Sequence, residues 1–188
     1  MIAENNLFIN NLSENEAKSI GLDSLSDLFL HLDPSVGCII EVKHSIYDLN
    51  NNYDSTAILT KNALICEYNK NKRELITYGF EASTALKINS FSPLPIARGF
   101  IAEGGSDFAG MLITAKQFGI EYVSAHVSSL LGDRAEKQMF PYGIKKMLNT
   151  AKENNIKVIA WCPDNIDGER LLAAGVDYIC VDNCFMFL

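Results

Sequence analysis

A chain of 188 residues, 48% hydrophobic and 21% charged, carries enough apolar material for a sizeable core and too little length for two ordinary domains, so one globular unit over 1–188 is expected. A formal charge of -7 and a pI near 4.9 set it against polyanionic backbones and exclude nucleic acid as an expected partner. No apolar run approaches the roughly 18 residues of a membrane span, and the N-terminus Met1-Ile-Ala-Glu-Asn-Asn lacks the basic start and apolar stretch of a secretory signal, so a cytoplasmic location is expected.

The five cysteines, Cys38, Cys66, Cys162, Cys180 and Cys184, lie mostly inside apolar runs and form no CxxC pair. Buried free thiols in a reducing compartment are the expected state.

In chain order, Ser24 to Leu32 reads as a short helix capped by Asp23 or Ser24. A first strand follows at Cys38 to Lys43, and the Asn-rich stretch from Asn50 to Tyr53 reads as an exposed loop. Further strands are expected at Glu74 to Phe80, Pro95 to Ala102, Ile120 to Val127, Ile156 to Cys162 and Val176 to Asp182.

Between them, Gly104-Gly105-Ser106-Asp107 leads into a helix on which Phe108, Met111, Leu112, Ala115 and Phe118 share one stripe. Simple capping by Ser106 or Asp107 accounts for that lead-in, and no Gly-Lys-Ser/Thr makes it a nucleotide loop. Ile144, Met147, Leu148 and Ala151 form a second stripe, while Gly119 and Gly175 are placed to end helices before strands.

Six strand-helix steps fit either an open doubly wound sheet or an incomplete eight-fold barrel. A doubly wound sheet gains from a glycine-rich turn after the first strand, and Lys43-His44-Ser45-Ile46 has no glycine.

Alternation along the first strand puts Cys38, Ile40 and Val42 on one face and Ile39, Glu41 and Lys43 on the other. The second face carries two opposite charges at the strand's C-terminal end, where parallel α/β folds bind ligands. Such a carboxylate can hold a hard divalent cation and such an ammonium can meet a phosphate oxygen; a plain Glu-Lys ion pair is the alternative.

Ile39-Ile40-Glu41-Val42-Lys43 resembles the Ile-Glu-Ile-Lys strand of the glycerophosphodiester phosphodiesterase family. Three further segments keep that family's order. Arg73-Glu-Leu-Ile-Thr-Tyr-Gly-Phe80 and the following Glu81-Ala-Ser-Thr-Ala-Leu86 resemble its Ser-Phe strand and helix, Ile156-Lys-Val-Ile-Ala-Trp161 its Trp-Thr-Val-Asn strand, and Leu171 to Asp182 its Gly-Val-Asp-Gly-Ile-Ile-Thr-Asp ending. Leu12 to Leu28 resembles the link before the first of these strands.

The resemblance implies an α/β fold, a partial TIM-type (β/α) barrel of the PLC-like phosphodiesterase kind that lacks the first strands. It covers only the later part of the family's domain, without the His-Arg-Gly strand, the Glu-Asn turn, the Glu-x-Asp strand and the His-Asp that supply catalytic histidines and metal carboxylates there. It further implies a hydrolase of glycerophosphodiesters that releases sn-glycerol 3-phosphate with a divalent cation, calcium or magnesium.

Carried over, Glu41 is a metal ligand, Lys43 a phosphate contact, and Phe80 and Trp161 line the glycerol side. Core packing is the other reading of the two aromatics. His126, and less so His44, are placed to stand in for missing histidines, with a hydrogen-bonded structural histidine as the alternative, while His31 reads as surface. Gly79, Cys162-Pro163 and Val181 depart from the family's serine, Thr-Val and threonine. A non-catalytic remnant or binding module of the same fold is the competing function, and an open-edged part-barrel is expected to pair with a complementing chain or with itself.

Overall fold

The computed structural model describes residues 12–43, 53–80, 96–138 and 142–182, with the backbone alone over 53–59. All six expected strands form, each shorter than its sequence run: β1 Cys38–Glu41, β2 Leu75–Tyr78, β3 Ala97–Ala102, β4 Tyr122–His126, β5 Lys157–Trp161 and β6 Tyr178–Cys180. They make one sheet in the order β1-β2-β3-β4-β5-β6, every adjacent pair parallel.

That order decides between the two architectures. A doubly wound sheet reverses its strand order at a switch point, whereas a barrel adds each strand beside the last. Here there is no reversal, and the six strands form a curled half-barrel with helices outside. Among the described residues no pairing joins β6 to β1, so both remain edges.

The helices are α1 Glu14–Ser19, α2 Leu25–His31, α3 Tyr53–Asn71, α4 Phe108–Phe118, α5 Val127–Leu130, α6 Asp133–Gln138, α7 Gly143–Glu153 and α8 Asn165–Ala174. Ser24, not Asp23, caps α2 in a reciprocal box with Asp27, and Asp107 rather than Ser106 caps α4 by accepting from the Ala109 N–H. Gly119 and Gly175 end α4 and α8 at φ 62° and 106°, a left-handed turn that glycine adopts without penalty.

Strand alternation separates two apolar layers. On the outer face Phe100, Val123, Ala125, Val158 and Ala160 pack under Phe108, Met111, Leu112 and Ala115 of α4, Leu148 and Ala151 of α7, and Leu171 of α8. A second outer cluster joins Val42, Leu75 and Ile96 to Phe29 and Leu64, with Cys38 and Ile40 packed against it, so the apolar side of β1 lies under helices as expected. The inner face holds Ile76, Tyr122 and Ile159.

Two expectations need correction. Phe118 is 49% exposed, because α4 ends at that turn and carries its last stripe position past the core. The cysteines are not buried: Cys66, Cys162 and Cys180 are exposed and Cys38 is half-buried, all as free thiols. Cys66 lies on the outer helix α3, and Cys162 and Cys180 lie at strand ends rather than in the packed layers. His44, the 81–86 helix, residues 50–52 of the expected loop and Cys184 lie outside the described residues. No described helix is long and apolar enough to cross a membrane.

Candidate functional site

A buried ion pair positions β1. The Arg73 guanidinium donates to Glu67 Oε1 at 2.6 Å, with the two side chains 0% and 4% exposed. It also donates to the carbonyls of Asp33 at 2.6 Å, of Val36, and of Leu32 at 3.2 Å. Arg73, two residues before β2, thereby fixes the loop that leads into β1. Burial alone would raise the Glu67 carboxyl, but the bonds from Asn71 and Arg73 outweigh it and hold it below the usual carboxylate range.

With β1 held in register against β2, Glu41 pairs with Tyr78. A cavity of about 540 Å³ opens at the C-terminal strand ends, lined among others by Glu41, Lys43, Tyr78, Phe80, Trp161 and Asp182. That size suits a small organic ligand. Because β1 and β6 residues line the same space, the curl of the sheet brings its two edges to face one another across the mouth.

Of the five residues singled out in the sequence, Glu41, Lys43, Phe80 and Trp161 line this cavity. Glu41 Oε1 is buried without a hydrogen-bond partner, and Lys43 Nζ lies 3.7 Å from it, outside hydrogen-bond reach. Lys43 is 60% exposed along its side chain, so the pair is a loose contact that leaves the ammonium free to meet a ligand. Trp161 Nε1 is likewise buried and unpartnered, and Phe80 is 51% exposed, which is not the surroundings of a core aromatic.

His126 does not line the cavity. Its ring meets Trp161 edge-on, centroids 4.5 Å apart. Its Nδ1 accepts the Ser128 N–H at 3.1 Å, capping α5, and lies 2.8 Å from the Ser128 hydroxyl. With Nδ1 accepting, the neutral ring carries its proton on Nε2 and can donate there. Gly104 packs against this arrangement, since a Cβ on it would meet His126 Nδ1 at 3.1 Å. The β3–α4 turn therefore packs against His126, while its Asp107 caps α4. His31 is exposed at the end of α2, as expected of a surface residue.

Tyr78, Cys180 and Asp182 were not singled out, although alternation could have found them: each shares the inward parity of its strand. Burial first, then Cys180 and Glu41, push the Tyr78 hydroxyl up to about 12, so it stays a donor at neutral pH. The opposite, N-terminal end of the sheet holds a different cluster. There Lys157 Nζ donates to the hydroxyls of Tyr122 at 3.1 Å and Tyr178 at 3.4 Å, and these bonds raise its pKa. In barrels that end serves stability.

The residues present fit a divalent cation only in part. Glu41 offers a buried, unpartnered oxygen, but among the described residues no three His, Cys, Asp or Glu side chains are grouped to hold a metal ion. A hard divalent cation takes about six or more oxygen ligands. These described residues therefore make no complete metal site by themselves.

No protein-family model matches the sequence, and no curated protein matches it. Among solved structures, the chain is similar to a glycerophosphodiester phosphodiesterase from Thermotoga maritima at 13% identity and a TM-score of 0.64, over 94% of this chain and 69% of that one. It is also similar to a phosphodiesterase from Oleispira antarctica solved with its product sn-glycerol-3-phosphate, at 16% identity and a TM-score of 0.54, over 89% of this chain and 56% of that one. The chain spans little more than half of the Oleispira protein's length. At such identities the likeness shows the fold alone: a part of a TIM-type (β/α) barrel.

Proposed function

We propose that the mouth cavity binds a glycerophosphodiester through its glycerol phosphate end, and that hydrolysis to sn-glycerol 3-phosphate and an alcohol needs further strands between β6 and β1. The observation that carries this reading is the convergence of Glu41, Lys43, Phe80 and Trp161 on one cavity at the C-terminal strand ends, in a fold shared with two phosphodiesterases.

Lys43 supplies the charge for a phosphate oxygen, Tyr78 a hydroxyl donor, and Phe80 and Trp161 apolar surface for the glycerol carbons. Their part is to bind and orient. His126, in edge-on contact with Trp161 but outside the cavity lining, offers a hydrogen-bond donor at Nε2 rather than a transferable proton. Where added strands bring the remaining ligands, Glu41 would give one oxygen to calcium or magnesium, which polarises a phosphodiester when bound. Unpaired among the described residues, the edges of β1 and β6 offer backbone donors and acceptors to a complementing chain or to a second copy.

A second reading, a binding module without turnover, is favoured by the capping of His126 Nδ1 and by the lone Glu41 ligand. One assay separates the two. Release of sn-glycerol 3-phosphate from glycerophosphocholine is measured with calcium or magnesium, for the chain alone and for the chain joined to a segment supplying the missing strands, with Glu41→Ala as control. Turnover is expected only in the joined form and is lost in the control. No turnover in either form, with glycerol phosphate still bound, establishes the binding module. Turnover by the chain alone, lost in Glu41→Ala, contradicts the need for added strands.

A further inference from the structure

We propose that Cys162 and Cys180 form a paired thiol site at the cavity mouth, a dithiol that closes to a disulfide when hydrogen peroxide reaches it.

The pairing follows from register and from one backbone bend. Trp161 is the Cα partner of Cys180 in the parallel β5–β6 pair, so Cys162 stands one residue beyond it on the neighbouring strand. With strands about 4.8 Å apart and a rise of about 3.3 Å per residue, the two Cα atoms are about 6 Å apart. That falls inside the window of roughly 4.4–6.8 Å that a disulfide spans.

Plain alternation would turn Cys162 outward, on the side of Val158 and Ala160. It does not, because its φ is 55°. Among the described residues, the other two non-glycine residues with positive φ, Lys72 and Asn155, follow the ends of α3 and α7, where left-handed turns are common. Cys162 ends no helix, and a left-handed conformation is costly for a residue that carries a Cβ. The bend re-aims the side chain, and both cysteines line the cavity. Both residues are exposed, so an oxidant can reach them.

The groups facing Cys180 are Cys162, Asp182, Glu41 and Tyr78. Burial of part of its side chain first, then Cys162, Asp182 and Glu41, raise its thiol above the ordinary range. One thiolate attacks the peroxide to give a sulfenic acid and release one water, and the second thiol displaces a second water to leave the disulfide. Two thiols are oxidised and one peroxide is reduced to two waters. The site stands whether or not the cavity holds a phosphodiester.

The test uses the full, pre-reduced chain treated with equimolar hydrogen peroxide, then alkylated and mapped by mass spectrometry. The expected result is loss of both alkylation sites, a linked peptide pair carrying Cys162 and Cys180, and Cys66 still alkylated. Emission from Trp161, the chain's one tryptophan, is expected to fall on oxidation and return with dithiothreitol. Cys162→Ser or Cys180→Ser abolishes that change and Cys66→Ser does not. Because a serine variant can fail to fold, wild-type protein is also titrated with phenylarsenoxide, which is expected to bind and to block both thiols together. Cys162 and Cys180 both staying alkylatable, a bridge from either to Cys38, Cys66 or Cys184, or no arsenical binding overturns the proposal.

Discussion

Gly99 sits on the inner face between two tyrosines, and a Cβ there would meet Tyr78 Cβ at 3.1 Å and Tyr122 Cβ at 3.2 Å. Both neighbours are anchored at their backbones in β2 and β4, so neither can withdraw freely. Gly99→Ala is expected to destabilise the chain by about 1–3 kcal/mol, the range of overpacking a filled interior, read as a lower midpoint in urea. No loss would mean that the interior is looser than its contacts indicate. Tyr78 lines the cavity, so the same variant is also expected to weaken ligand binding.

At the scale of elements, the Glu67–Arg73 pair ties the end of α3 to the loop before β1. Arg73→Met leaves Glu67 buried without its main partner and is expected to cost about 3–5 kcal/mol. The pH dependence has a definite sign. The folded Glu67 carboxyl lies below its ordinary 4.5, so its contribution is present above that value and lost as pH falls through the folded one. Wild type and Glu67→Gln are therefore expected to differ in thermal midpoint at neutral pH and to converge in acid. A constant difference across that range would contradict the assignment.

The strands were legible in the sequence because apolar runs of β-branched and aromatic residues stand between glycine-ended helices, as Gly119 and Gly175 show. Helix α3 was not, since its 19 residues carry no single apolar stripe for periodicity to find. At the site, Glu41 and Lys43 were legible through alternation. Cys162 was not, because its place in the cavity depends on a left-handed bend that residue identity does not announce.

On the scale of the whole molecule, the six parallel strands of the described residues run in unbroken order and leave β1 and β6 as facing edges there. Ile39, inward on β1, is 42% exposed, and Tyr178 on β6 is 36% exposed. Unpaired edges flanked by apolar side chains favour association. Sedimentation is expected to show species larger than the 20.8 kDa monomer, shifting back to monomer when a complementing segment occupies the gap. A monodisperse monomer at all concentrations would contradict open edges.

The cavity lining carries three carboxylates, Glu41, Asp164 and Asp182, against the ammonium of Lys43. Asp164 is engaged as the cap of α8. An anionic ligand therefore depends on Lys43, and added calcium or magnesium is expected to strengthen its binding. The most direct measurement is a titration of the reduced chain with sn-glycerol 3-phosphate, followed by Trp161 fluorescence, for wild type and Lys43→Ala. A saturable change in wild type, weakened about tenfold or more in the variant as one charge-assisted phosphate contact is lost, is the expected result. No response, or equal affinity in the two proteins, would contradict the assignment of this cavity to a glycerol phosphate ligand.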